Sequence, residues 1–298
     1  MLKRKQEKLE QSVSKAAQGQ MGLIWFRFKK NKLAVFGLTM LVIIYGACLL
    51  SLFFIPEERA ISQNLSKAHI PPFTEGYIWG TDMFGRDLFA RILRGGAVSL
   101  SAGLTVIGGA LCLGIIFGSI AGYFGGKVDF YLMRFLDILS SIPHLLLTMT
   151  LIVALGQSTG NLLLAMSLSF FPGLARMVRS SIMTIRENEY VDAAKCYGAS
   201  TVKILLQHIL PNGIGPVVIS TTLMLGNVIL SIAGLGFLGV GITPPTPEWG
   251  TILSEVRDYI RFYPYMGIIP GLAIGTGVLC INFIGDGFRD ALDPRTKK

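Results

Sequence analysis

Five long uncharged stretches, one of them long enough for two crossings, constrain this chain more than any other feature. A helix needs about 20 apolar residues to cross the hydrocarbon core of a bilayer. Residues 33–55 carry no charge and lie between Lys32 and Pro56. Residues 95–126 are again uncharged and supply a span at about 98–122. Between Asp137 and Arg176 lie 38 uncharged residues, too many for one helix, and the polar GQSTGN at 156–161 divides them. Helices are predicted there over 131–155 and 161–178, joined by a tight turn. The run 209–247 gives a span at about 213–240, ahead of Pro244, Pro245 and Pro247, and 262–285 gives the last. The expected fold is therefore an all-α polytopic membrane protein with six transmembrane helices. The first span is not read as a signal peptide, because its 23 apolar residues exceed an h-region and no clear A-x-A site follows.

An even number of crossings puts both termini on one side. The net charge of +9 is distributed accordingly. Of 27 Lys and Arg residues, 20 fall in the segments on the side of the termini and seven on the other. Basic loops stay cytoplasmic, so both termini are expected inside and nucleic acid is not needed to explain the charge. The first ten residues, MLKRKQEKLE, read as a solvated arm. A topology signal is favoured for that arm over a contact with anionic lipid.

Catalytic and coupling chemistry is sparse. Gly234, Gly236 and Gly239 fit G-x-G-x-x-G, but inside an apolar span, whereas that motif binds dinucleotides only between a strand and a helix. Gly126-Lys127 lacks the upstream glycine and the following Ser or Thr of a P-loop, where Ala121 and Val128 stand. No H-E-x-x-H or G-x-S-x-G occurs. The four cysteines (48, 112, 196, 280) and three histidines (69, 144, 208) have no metal-ligand spacing. The span centres lack the ionisable residues on which secondary transporters couple ions. A self-sufficient channel or secondary transporter, or an intramembrane enzyme, is disfavoured on these grounds. Arg134 and Asp137, three apart on one helical face, can pair at the membrane boundary. Glycine is abundant, with 35 residues, and recurs at four-residue spacing at Ala110, Gly114, Gly118 and Gly122, and at Gly267, Gly271 and Gly275. Such ladders let helix backbones approach closely in lipid.

The informative loop is 187–211. Acidic residues 187, 189 and 192 suit the first turns of a helix. Gly198 supplies a left-handed stop, Ser200 a cap for the next helix, and Pro211 a kink or end before the fifth span. Ala193 and Ala194 leave room for another surface to approach. Local physics leaves a docking knob and a partnerless connecting loop equally open.

This loop resembles the EAA loop of ABC-importer permeases. Asp192-Ala193-Ala194, three residues, Gly198, nine residues and His208-Ile209-Leu210-Pro211 follow that pattern, with Asp for Glu and His for Ile. Further blocks are similar to the peptide/nickel branch: Gly80-Thr-Asp82-Met-Phe-Gly85-Arg86-Asp87, Thr243-Pro-Pro-Thr-Pro247-Glu-Trp249-Gly250, and Gly285-Asp286-Gly-Phe-Arg289-Asp290-Ala-Leu-Asp293-Pro294-Arg295. The resemblance, over about residues 25–296, is to the second permease subunit of dipeptide/oligopeptide/nickel importers.

That resemblance implies a type I ABC importer permease fold in a bacterial or archaeal cell membrane. It implies a second homologous permease subunit, two ATPase subunits, an extracytoplasmic substrate-binding protein and a peptide cargo, with nickel or a metal–chelator complex as the alternative. No cofactor or metal is expected in this chain; ATP and Mg belong to the ATPases. Docking to an ATPase is carried to Glu189, Asp192, Ala193, Ala194, Gly198, Leu210 and Pro211, and Gly198→Asp is expected to uncouple hydrolysis from transport. Pro245 and Trp249 are expected to meet the binding protein. The expected organisation is a basic tail 1–32, a first span 33–55, an extracytoplasmic segment 56–97, a five-helix core 98–286 and a tail 287–298. The core carries the coupling loop 187–211 and an outer surface helix 248–263, which lies at the membrane interface or against the binding protein.

Overall fold

The computed structural model describes residues 20–74 and 76–292. Residues 1–19 of the basic tail, and Asp293, Pro294 and Arg295, lie outside the described residues. The helices are α1 (Gln20–Lys30), α2 (Lys32–Phe54), α3 (Leu88–Phe124), α4 (Gly126–Ser140), α5 (His144–Leu155), α6 (Thr159–Arg186), α7 (Glu189–Cys196), α8 (Leu210–Phe237), α9 (Trp249–Val256) and α10 (Tyr265–Leu292). Shorter helical turns stand at Glu57–Ile61, Leu65–Lys67 and Thr201–Lys203. Among the described residues five helices are long and apolar enough to cross a bilayer, and α4 with α5, bent by 87° at their junction, makes six if the pair is one broken span.

The predicted single helix 131–155 is therefore corrected to two arms. Pro143 fixes the backbone just ahead of α5 and supplies no N–H, so the α4 ladder ends at Ser140. Two other boundaries move outward. α3 begins ten residues before 98, and α6 runs to Arg186 rather than 178. In both cases charged residues lie inside the helix. Arg91 is paired with Glu255, Arg176 with Asp137 and Arg179 with Asp129. Charge marks where contact with lipid ends, and the helix continues past that point because these three cations each have a carboxylate, while Arg186 donates to the Gly122 and Tyr123 carbonyls. The expected pair Arg134–Asp137 forms at 3.7 Å. The tail expected from 287 is helical as far as Leu292, with Ala291 buried.

α3 and α6 run parallel along a seam built by the first glycine ladder. A Cβ on Gly114 would sit 2.9 Å from Leu174 Cβ, one on Gly118 2.5 Å from the Ala175 carbonyl oxygen, and one on Gly122 2.8 Å from the Arg179 carbonyl oxygen. Only hydrogen fits at these positions. Gly118→Ala is expected to destabilise the purified protein by about 1–3 kcal/mol, read from the thermal unfolding midpoint. Gly108→Ala, whose Cβ meets nothing, is expected to stay within about 0.5 kcal/mol. The second ladder behaves differently. Gly271 and Gly275 have no neighbour within 4 Å, and only Gly267 meets one, Ile260.

α1 and the last turn of α10 meet at the α7 end of the bundle. Arg27 Nη1 donates to the Ala291 carbonyl at 3.2 Å, and Gly215 faces Leu292 there. The segment 56–87, the 156–158 turn and the 238–264 segment gather at the opposite end, where Gln157 Nε2 donates to the Gly239 carbonyl.

Candidate coupling loop and membrane groove

α7 is seated rather than free. Val191 inserts with Ile204 and Ile209 into a buried cluster with Val178 and Ile182 of α6 and Val217 of α8. This apolar underside turns the other face outward. Glu189, Asp192 and Ala193 are exposed and Ala194 is half-buried. Lys195 Nζ pairs with Asp192 Oδ1 at 2.8 Å on the surface, where such a pair adds little stability.

The helix stops as the sequence predicts. Gly198 has φ +75°, its N–H donates to the Lys195 carbonyl, and the Ala199 N–H donates to the Ala194 carbonyl. These two bonds satisfy carbonyls that the last turn leaves open, and they require a left-handed residue between them. Ser200 Oγ accepts from the Lys203 N–H at 3.4 Å and starts the next helix. Pro211 stands in the first turn of α8, where the regular α-helical ladder restarts. A π-helical segment, Ile204–Ile209, precedes it, and the helix continues from Thr201 to Phe237. In that first turn the N–H that Pro211 lacks is not required by the α8 ladder. Leu210 is half-buried and Pro211 exposed. Tyr197, 92% exposed beside Gly198, completes the outward surface. Its position before the helix-stopping glycine was the available signal for it.

A second feature lies within the spans. A groove of about 650 Å³ is lined by His144, Leu145 and Phe170, and by Ser220, Asn227, Ser231 and other residues of α8. His144 opens α5 at the break in the bent pair. Its Nε2 lies 3.4 Å from Ser231 Oγ, and its ring packs 4.9 Å from that of Phe170. Asn227 is exposed and is the only amide side chain between residues 213 and 240. An amide facing hydrocarbon would cost several kcal/mol by transfer scales (roughly 2–7), so this face of α8 meets water or protein.

At the opposite end, an ionic cluster fastens the loop before α3 to the segment after α8. Arg86 Nη2 and Arg91 Nη2 each donate to Glu255 Oε2 at 2.6 Å, and Arg86 Nε donates to Asp82 Oδ2 at 2.6 Å. Beside it, Glu248 is fully buried and accepts from Ser99 Oγ and the Gly250 and Thr251 N–H groups. Burial pushes the Glu248 carboxyl above the usual carboxylate range, against the pull of those three donors.

The outer surface helix expected over 248–263 is corrected to α9, Trp249–Val256. Its apolar residues face inward: Trp249 and Ile252 are buried against α3 and α8, and Val256 is also buried. Trp249 Nε1 donates to the Ile92 carbonyl at 2.9 Å. Trp249 is thus a core anchor rather than a surface contact, while Pro245 is exposed. Periodic apolar residues identify a helix face without saying whether lipid, a partner or the chain itself covers it.

The family described as "Binding-protein-dependent transport system inner membrane component" matches residues 114–298. The "N-terminal TM domain of oligopeptide transport permease C" matches residues 19–72. The chain is 41% identical over 273 residues to the dipeptide transport system permease protein DppC of Alkalihalophilus pseudofirmus, covering 91% of this chain and 88% of that protein. It is 38% identical to DppC of Haemophilus influenzae, covering 92% and 94%. It is 34% identical to the glutathione transport system permease protein GsiD of an Escherichia coli strain, covering 92% and 90%. In fold it is similar to a solved chain of the inward-facing MetNI methionine ABC transporter. That match has TM-score 0.57 and 20% identity, over 69% of this chain and 98% of that one.

Proposed function

The chain belongs to the family of binding-protein-dependent transport system inner membrane components, and from that premise we propose that it forms half of the channel through which an ATP-driven importer passes di- or oligopeptides. The groove carries the reading. It places His144, Ser220, Asn227 and Ser231 on one concave face inside apolar helices, where a passing peptide can exchange hydrogen bonds without meeting a fixed charge that would trap it. The groove is open on one side, as a half-channel completed by a second permease subunit would be. Peptide cargo is preferred over nickel because the relatives described above are named for dipeptides or glutathione. Among the described residues no group of three or more His, Cys, Asp or Glu could hold a metal ion.

Energy enters from two partner ATPases that receive α7, with Glu189, Asp192, Ala193, Ala194 and Gly198 at the contact and Leu210 and Pro211 anchoring its far side. The α7 end, with both chain termini, faces the cytoplasm. A binding protein delivers cargo at the opposite end, where Pro245 is presented.

Asn227→Trp tests the channel assignment. An indole in the groove is expected to cut labelled dipeptide uptake into proteoliposomes about tenfold or more, equivalent to ~1.4 kcal/mol on the passage barrier. ATP hydrolysis by the assembled transporter should persist. Unchanged uptake would place the path elsewhere.

A further inference from the structure

We propose that α1 is a docking element for anionic phospholipid, holding the lipid headgroup layer at the α7 end of the bundle. One side of α1 is committed to the chain itself. Phe28 is 1% exposed, packs with Ala34, Ile284 and Ala291, lies 4.8 Å from the tilted Phe288 ring, and carries the Trp25 ring stacked at 5.5 Å on its other side. Arg27 Nη1 ties α1 to the Ala291 carbonyl. The helix is therefore fixed in place, and its remaining surface has a fixed direction.

That surface has an unusual pairing. Trp25 and Phe26 are 46% and 49% exposed. Lys29 Nζ lies 5.2 Å from the centroid of the Trp25 ring and Lys30 Nζ 4.6 Å from that of Phe26. Lys32 follows, also exposed. No acidic residue occurs between 20 and 32. Among the described residues, carboxylates at the end of α10 lie nearby: Asp286 is exposed, and Asp290 accepts from Asn31 Nδ2 at 3.0 Å.

The patch is continuous with a surface that must contact lipid. α2 begins two residues after α1 ends, and its exposed Leu33 and Phe36 open the first membrane span. Aromatic rings at that level sit among headgroups, and lysines beside them meet phosphates. An ATPase surface is the other occupant to consider. The position at the mouth of a span and the two half-exposed rings fit a bilayer boundary better than an aqueous protein contact. The inference needs only that α2 spans a bilayer, so it stands or falls separately from the cargo.

The test uses the assembled transporter, exchanged from membranes into mild detergent containing equal phosphatidylglycerol and phosphatidylcholine, with retained lipids counted by native mass spectrometry. The wild type should retain phosphatidylglycerol preferentially. A lysine near an anionic surface contributes about fivefold in partitioning. K29Q/K30Q/K32Q should therefore lose the preference by about tenfold or more, while K29R/K30R/K32R keeps it. Should the triple variant fail to assemble, Lys30→Gln alone should lower the preference severalfold. An unchanged preference in the glutamine variants would overturn the proposal. So would loss of the ATPase subunits with lipid retention intact, which would assign the patch to a protein partner.

Discussion

Gly198→Val is expected to abolish peptide uptake while the membrane bundle stays folded. At φ +75° a β-branched side chain pays the left-handed penalty, about 1–3 kcal/mol at a single strained position. Space is not the obstacle, since a Cβ there meets nothing within 4 Å. The strain is relieved by giving up the two bonds from Gly198 and Ala199 that close α7, so Tyr197 and Ala194 lose their fixed placement. The buried cluster of Val191, Ile204 and Ile209 holds the rest of the loop on α6 and α8. Uptake should fall about tenfold or more, the effect of ~1.4 kcal/mol, with ATP hydrolysis persisting. Gly198→Asp separates two causes, because Asp tolerates the left-handed region better. If both variants fail equally, a close fit at this position is required; if Asp transports and Val does not, backbone shape alone matters. Full uptake in Gly198→Val would remove the loop from the coupling role.

Glu255→Ala is expected to be the most destabilising single change at the opposite end. It leaves Arg86 and Arg91, 3% and 1% exposed, with Asp82 as the remaining carboxylate of the cluster. Removing one partner from a buried pair costs about 3–5 kcal/mol, and the thermal midpoint should drop by roughly 6–20 °C. Most of that cost is the uncompensated charge rather than the lost attraction. The charge-balanced double variant Arg91→Met with Glu255→Met should therefore recover much of the stability. A double variant no better than Glu255→Ala would show that the cluster's hydrogen-bond geometry, not its charge balance, holds the end together.

The number of crossings was legible because hydrocarbon excludes charge, and the uncharged runs follow directly. Their ends were less legible. Arg176 read as a boundary, yet it lies inside a helix, as Arg91 and Arg179 do, because a carboxylate distant in sequence neutralises each of them. The break after Ser140 carries no charge, so the uncharged run passes over it, although Ser140, Ser141, Pro143 and His144 mark it locally. Gly198 was legible from local chemistry alone, because the left-handed stop is a property of four or five neighbouring residues. The groove was not. Asn227 and His144 are 83 residues apart, and only the bend between α4 and α5 brings them to one wall. Trp249 was placed on the surface for want of a way to see its partner, the Ile92 carbonyl.

The glycine seam between α3 and α6 has a mechanical consequence. Two helices in backbone contact have no side-chain layer to shear, so they turn as one spar. α6 has 28 residues, a length of about 42 Å at 1.5 Å per residue. Each degree of tilt about one end then displaces the other by roughly 0.7 Å over that length. A five-degree rock imposed where α7 hangs from Arg186 would sweep the far tip by roughly 3.7 Å, about the width of a methyl group.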